Sequence, residues 1–188
     1  MQSLQMNPLV HRIADMNDRD SLLLLINGAF RGESSCQGWT TEHSLLGGQR
    51  MDIDMLTSNL NDKNSIILLF FNTDETMLIG CVYLKQQPPT TTAYLGLLTV
   101  RPELQSHGYG KFILSVAENY LINNWNVESV EMTVIKQRQE LLSFYNRRGY
   151  YDTGRREPFP LDDPKFGLPK RRDLEFCILK KDLKMKEQ

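Results

Sequence analysis

The 188-residue chain predicts an α/β fold whose central sheet is mixed, mostly antiparallel and about six to seven strands wide. Two arrangements predict it. Three strand-like runs, 65–71, 77–84 and 91–100, follow one another with only short turn-rich links at 72–75 and 86–89, which favours an antiparallel meander. After them, a strand at 91–100, a helix at 109–123 and a strand at 127–135 make a βαβ unit, and that crossover sets one parallel strand pair inside the sheet. At this length one compact domain spanning 1–188 is expected.

The elements follow in order. Residues 10–14 alternate as a first strand, and Asp18 and Asp20 ahead of Ser21 open an apolar helix that ends near Gly28 or Phe30. Residues 31–50, with Gly32, Gly38, Gly47 and Gly48, read as loop, and 53–60 as a second helix. In 109–123 the apolar residues Phe112, Ile113, Val116, Ala117, Tyr120 and Leu121 recur at helical spacing and form one stripe for burial. The strand at 127–135 sets Val130, Met132 and Val134 on one face. A helix at 137–148 ends at Gly149 as a left-handed cap, behind Arg147 and Arg148 that suit its negative end. Residues 150–154 and 173–179 complete the strands. Between them, 155–172 carries Pro158, Pro160, Pro164 and Pro169 and reads as an ordered excursion beside the site, although its composition also allows a linker. There is no internal repeat and no low-complexity tract.

Lys and Arg number 22 against 23 Asp and Glu, so no global basic field attracts nucleic acid and no polybasic segment anchors a membrane. The apolar run 22–26 is far short of the ~20 residues that span a bilayer, and the N-terminus lacks the pattern of a secretory signal. A cytoplasmic protein is expected. Cys36, Cys81 and Cys177 are odd in number and lack metal-ligand spacing, so neither a disulfide framework nor a metal is expected. Cys81 and Cys177 lie in apolar strand-like runs as small core residues; Cys36 sits in a polar loop.

The most informative stretch is Gln105-x-x-Gly108-x-Gly110-Lys111, where a strand stops at Pro102 and the chain restarts as a helix through two glycines. Side chains that would crowd an anion are absent there, and unpaired helix N–H groups together with the positive end of the helix dipole would face it. The spacing fits neither a Walker phosphate loop, which needs Ser or Thr after the lysine, nor a dinucleotide fingerprint, which needs a third glycine. A second segment, from Glu140 through Tyr145 to Gly149 and Tyr150, carries a tyrosine four residues before a glycine–aromatic pair.

Together, the Leu98-Thr99-Val100-x-Pro102 strand end, the glycine junction and the Tyr145 helix resemble the GNAT superfamily of N-acetyltransferases, over roughly 11–183. The resemblance implies a GNAT-like sheet with helices on both faces, acetyl-CoA as co-substrate, and cofactor contacts at Leu98, Thr99, Val100, Gln105, Ser106, His107, Gly108, Tyr109, Gly110, Lys111 and Tyr145. It implies Leu98 as a backbone N–H donor to the thioester carbonyl and Tyr145 as general acid to the departing thiolate. The sequence departs from the family in two places. Arg138 stands where an Asn often opens the second helix, and the strand from Tyr94 to Val100 lacks the carboxylate some members use as base. Glu42 is therefore the candidate base, with His43, Glu131, Tyr94 or backbone-bound water as alternatives, and Glu42 could equally be a first-turn helix acid behind Thr40 as N-cap. The expected partner is a small-molecule amine, entering between the Trp39 loop and the 155–172 excursion, and assembly as a homodimer is compatible. A protein or peptide amine, a non-catalytic acyl-CoA sensor and a phosphate-loop nucleotide binder stay open as alternatives.

Overall fold

A computed structural model describes residues 7–184 of the chain; the ends of the expected 1–188 domain, 1–6 and 185–188, lie outside the described residues. Seven strands form one sheet: β1 (Leu9–Ile13), β3 (Ser65–Asn72), β4 (Leu78–Gln86), β5 (Thr92–Val100), β6 (Ser129–Ile135), β7 (Tyr151–Pro158) and β9 (Glu175–Asp182). Their spatial order is β1-β3-β4-β5-β6-β9-β7. All neighbours run antiparallel except β5 and β6, the parallel pair joined through the helix α4 (Tyr109–Trp125). This is the mixed sheet with one parallel pair that the sequence predicts.

The central strands are apolar on both faces because both faces are covered. Alternate residues of β3 and β4 enter different cores: Leu68, Phe70, Val82 and Leu84 pack with α4, while Ile67, Leu69, Cys81 and Tyr83 pack with α1 (Arg19–Phe30) and α3 (Ile53–Asn61). Fully burying side chains of this size stabilises by about 1.5–3 kcal/mol each. The buried stripe of α4 is Tyr109, Ile113, Leu114, Ala117 and Leu121. Phe112, Val116 and Tyr120, expected in that stripe, flank it half-buried. Cys81 is sealed in, and loss of solvation pushes its thiol up to about 12, as suits a core residue. Cys177 is also buried, whereas Cys36 is exposed.

Two details depart from the sequence expectation. Residues 31–50 are not all loop: they hold a one-turn helix α2 (Gly32–Ser35) and a two-residue strand β2 (Leu46–Gly47). β2 pairs with β8 (Leu168–Pro169) inside the proline-rich segment, so the two long loops are stitched together rather than independent. The final strands also run longer than expected, and β9 lies between β6 and β7. Burial explains the order: Cys177, Ile178 and Leu179 of β9 are buried, whereas β7, with Arg155, Arg156 and Glu157, is almost wholly exposed and suits a sheet edge.

Candidate active site

The site begins at an irregularity in β5. Cys81 of β4 faces Thr99 and Tyr83 faces Gly96, so two steps along β4 oppose three along β5. The extra residue is accommodated by Leu97, which takes a left-handed φ of 49°. Leu97 and Leu98 have no ladder partner on β4, and the pairing of β5 with β6 stops at Tyr94 and Glu131. Beyond that point the two parallel strands separate. The backbone of Leu98 is thereby released from the sheet at the open end of the wedge.

Directly after β5, Gly108 caps α4 with φ 91°, and no side chain caps the helix. The first bond that closes the helix is from Phe112 N to Gly108 O at 3.1 Å, which leaves the preceding N–H groups of the first turn free to meet an anion. A Cβ placed on Gly110 would meet Phe144 at 3.6 Å and Val100 at 3.8 Å, both ordinary contacts, and Gly110 has no positive φ. Strain therefore explains glycine at 108 but not at 110. The space in front of Gly110 is what its missing side chain preserves, and the residues present fit a pyrophosphate.

A cavity of about 550 Å³ runs from this turn to the helix α5 (Gln139–Asn146). It brings together Leu98, Val100, Gln105, Ser106, Gly108, Gly110, Lys111 and Tyr145 of the expected cofactor residues. Thr99, His107 and Tyr109 are not in its wall. Thr99 is buried and bonds Leu97 O at 2.8 Å, the His107 ring meets Gln105 O at 2.8 Å, and Tyr109 belongs to the core. Gln105 is buried with its amide spent inside the protein: Oε1 accepts from Thr40 N at 3.1 Å, and Nε2 donates to Thr40 Oγ1 at 2.7 Å and Val100 O at 3.0 Å. It ties the Trp39 loop to the end of β5, which makes it a positioning residue. Sequence reasoning missed Trp39, Thr40, Glu140, Leu141, Phe144, Arg147 and Arg148 in this wall. The helical recurrence of 141, 144, 145 and 148 was the available signal. Arg148 lies 3.5 Å from the Phe144 ring centre and donates to Phe144 O at 2.6 Å.

A second cavity, of about 490 Å³, lies along β5 and β6, lined by 94–98 and 132–135. The two share Thr40, Leu98, Leu141 and Tyr145 in their walls, so they meet there. The stitched loops supply much of the second wall. Arg31, only 4% exposed in its side chain, bonds Glu42 at 2.8 Å, Gly47 O at 3.0 Å and Phe166 O at 3.4 Å. A Cβ on Gly167, whose φ is 98°, would lie 2.2 Å from the Arg31 guanidinium, so the excursion closes on this arginine only with glycine there.

Glu42 lines the second cavity but begins no helix; its N–H donates to Phe30 O at 2.9 Å within a loop, which removes the reading of Thr40 as an N-cap. Its carboxylate is surrounded by guanidiniums: Arg31 at 2.8 Å, Arg138 at 3.7 Å and Arg50 at 4.0 Å. His43 is exposed and outside both walls, and Glu131 is paired with Arg155, also outside them. Tyr94 lines the second cavity, with its hydroxyl 3.0 Å from Thr133 Oγ1.

Tyr145 is 5% exposed and its ring is held edge-on by Phe144 and Tyr150 at 5.2 and 5.5 Å. Among the described residues its hydroxyl has no hydrogen-bond partner, and it lines both cavities. Burial pushes the phenol well above its ordinary value, nearby Tyr94 adds to this, and Arg138 and Arg148 pull it partly back. It is a neutral donor at the place where the cavities join. No group of three His, Cys, Asp or Glu among the described residues could hold a metal ion, and no helix among them is long and apolar enough to cross a membrane.

No curated protein sequence matches the chain. Solved structures do. A putative phosphinothricin N-acetyltransferase superposes with a TM-score of 0.70 at 12% identity, covering 95% of this chain and 100% of that one. Spermidine N-acetyltransferase from Vibrio cholerae, in complex with CoA and spermine, gives 0.66 at 16% identity, with 92% and 94% covered. An acetyltransferase of the GNAT family from Staphylococcus aureus gives 0.64 at 14%, with 94% and 100% covered. At these identities the likeness is one of fold. The family model described as acetyltransferase (GNAT) family matches residues 33–150, which hold the β5 bulge, the glycine turn and Tyr145, and this chain accordingly belongs to the GNAT acetyltransferase family.

Proposed function

We propose that this protein transfers an acetyl group from acetyl-CoA to a primary amine of a small molecule, by direct attack of the amine on the thioester. The observation that carries the reading is the meeting of two cavities at Leu98 and Tyr145, one leading from the α4 anion cradle and the other walled in part by the stitched loops. Acetyl-CoA, when bound, supplies the activated acetyl group. The nitrogen–carbon bond forms and the carbon–sulfur bond breaks; the departing thiolate takes the proton of the Tyr145 phenol, and the proton shed by the nitrogen passes through water to restore that phenol. The Leu98 N–H, released by the bulge, stabilises charge growing on the carbonyl oxygen, an effect worth ~3–4 kcal/mol for one such donor. Tyr145 holds the proton for the sulfur. The volume of the second cavity, about 490 Å³, suits a compact acceptor, in keeping with the small amines named for the superposing spermidine enzyme.

Glu42, in this reading, assembles Arg31, Arg50 and Arg138 and does not accept the amine proton, since a proton arriving on it would break the pair with buried Arg31. Glu42→Gln is expected to lower stability by about 3 kcal/mol in urea unfolding, because a buried guanidinium loses its counter-charge. The accompanying loss in kcat/KM should be equal at pH 6.5 and pH 9. A loss that deepens as pH falls would return the base to Glu42.

The function is tested by following free thiol from acetyl-CoA with a panel of small amines and short peptides. Thiol release dependent on a small amine is the expected result. Release only with peptides would move the acceptor class, and CoA binding without release for any amine would leave a sensor.

A further inference from the structure

Arg138 is 3% exposed, yet only one of its three guanidinium nitrogens is hydrogen-bonded: Nε donates to Glu140 at 2.5 Å, while Nη1 and Nη2 are buried with no partner. The carboxylate nearest to Nη1, that of Glu42, stands 3.7 Å away, too far for a hydrogen bond, and is already engaged by Arg31. Leaving charged donors unmet in the interior is costly and rare in folded proteins, and a ligand is one of the arrangements that explain it. Arg138 lines the second cavity together with Arg50, whose guanidinium, stacked 5.7 Å from the Phe30 ring centre, also makes no hydrogen bond among the described residues. The wall carries three guanidiniums, of Arg31, Arg50 and Arg138, against two carboxylates, of Glu42 and the exposed Glu157.

Resting on the acetyltransferase reading above, we infer that the acceptor amine carries an anionic oxyacid group, a carboxylate or a phosphonate, that is seated on Arg138, whose buried and unmet Nη donors turn into the cavity to meet it, with Arg50 beside it. The planar fork of a guanidinium matches two oxygens of such a group. Arg138 immediately precedes α5 and Tyr145 lies within it, and both side chains line the same cavity. The anion is thus held at one end of the acceptor while its amine reaches the junction at Tyr145 and Leu98. Phe30, Met51 and Phe159 in the wall suit an apolar body between the two ends.

The test compares glycine, leucine and phenylalanine as free acids, as carboxamides and as decarboxylated amines, with 1-aminoethylphosphonate and spermidine alongside, by initial rates of thiol release. Free acids are expected to exceed their amides and amines at least tenfold in kcat/KM, mainly through KM. Faster turnover of the phosphonate than of the acids would assign the seat to a tetrahedral oxyanion, and the reverse to a carboxylate. In Arg138→Gln the acid-to-amide ratio should fall towards one, and in Arg138→Lys to an intermediate value, with CoA-induced thermal stabilisation retained as the check that each variant folds. Should the Gln variant not fold, a reduced ratio in the Lys variant supports the inference and an unchanged one overturns it. Amides, decarboxylated amines or spermidine turned over as well as the acids would also overturn it while leaving the acetyltransferase standing. If no amine releases thiol, that reading fails instead. The anion seat is then decided by calorimetry on CoA-loaded protein with N-acetylphenylalanine against its amide, where tenfold tighter binding of the acid supports it and equal binding overturns it.

Discussion

Tyr145→Phe is expected to lower kcat by about 10²- to 10⁴-fold, the range general acid catalysis supplies, while CoA binding stays as in the parent. The substitution deletes one donor and keeps a ring packed between Phe144 and Tyr150. Burial raises the phenol, so it is a weaker acid than a solvated tyrosine. The sign also fixes a pH profile. A phenol whose value is raised stays protonated beyond its ordinary ~10, so kcat should show no alkaline fall from this residue up to about pH 10. Full activity in Tyr145→Phe would return the residue to core packing and leave thiolate departure unassisted.

Gly110→Val is expected to abolish the stabilisation that CoA confers. A ligand at a hundred times its Kd adds about 2.7 kcal/mol, and each kcal/mol shifts the melting temperature of a chain this size by roughly 2–4 °C. The parent should therefore gain about 5–10 °C with CoA and the variant nothing. Position 110 is chosen over 108 because its backbone is unstrained and an added Cβ makes only ordinary contacts with Phe144 and Val100. The variant should fold and melt nearly as the parent does without ligand. Gly108→Val should lose CoA as well, but it would also melt lower, since φ 91° is strained for a β-branched residue. An unchanged CoA shift in Gly110→Val would place the anion site elsewhere.

Much of the scaffold is legible in the sequence because it is written in local period. Alternation marks β1 and β6, apolar runs bounded by turn residues mark β3, β4 and β5, helical spacing marks α4, and glycines at 108 and 149 mark turns whose φ of 91° and 86° the side-chain-free residue supplies. The same locality hid β2 and β8, each two residues long, whose only reason to be strands is the other, more than 120 residues away. It also hid the β5 bulge, since nothing in Gly96-Leu97-Leu98 announces that β4 will pair across it with one residue to spare.

The sequence by itself determined the mixed sheet, the glycine cradle at the start of α4 and Tyr145 on α5, because each rests on residue types and spacings inside one short segment. Only the tertiary structure decided what the charged groups do. Glu42 reads alone as a free carboxylate; folding surrounds it with Arg31, Arg138 and Arg50, drawn from three segments spread over more than a hundred residues. Arg138 reads as a departure from a family pattern; folding buries it with two donors unmet, beside the second cavity. Charge interactions depend on distance through space and on exclusion of water, and neither is a property of the order of residues along the chain.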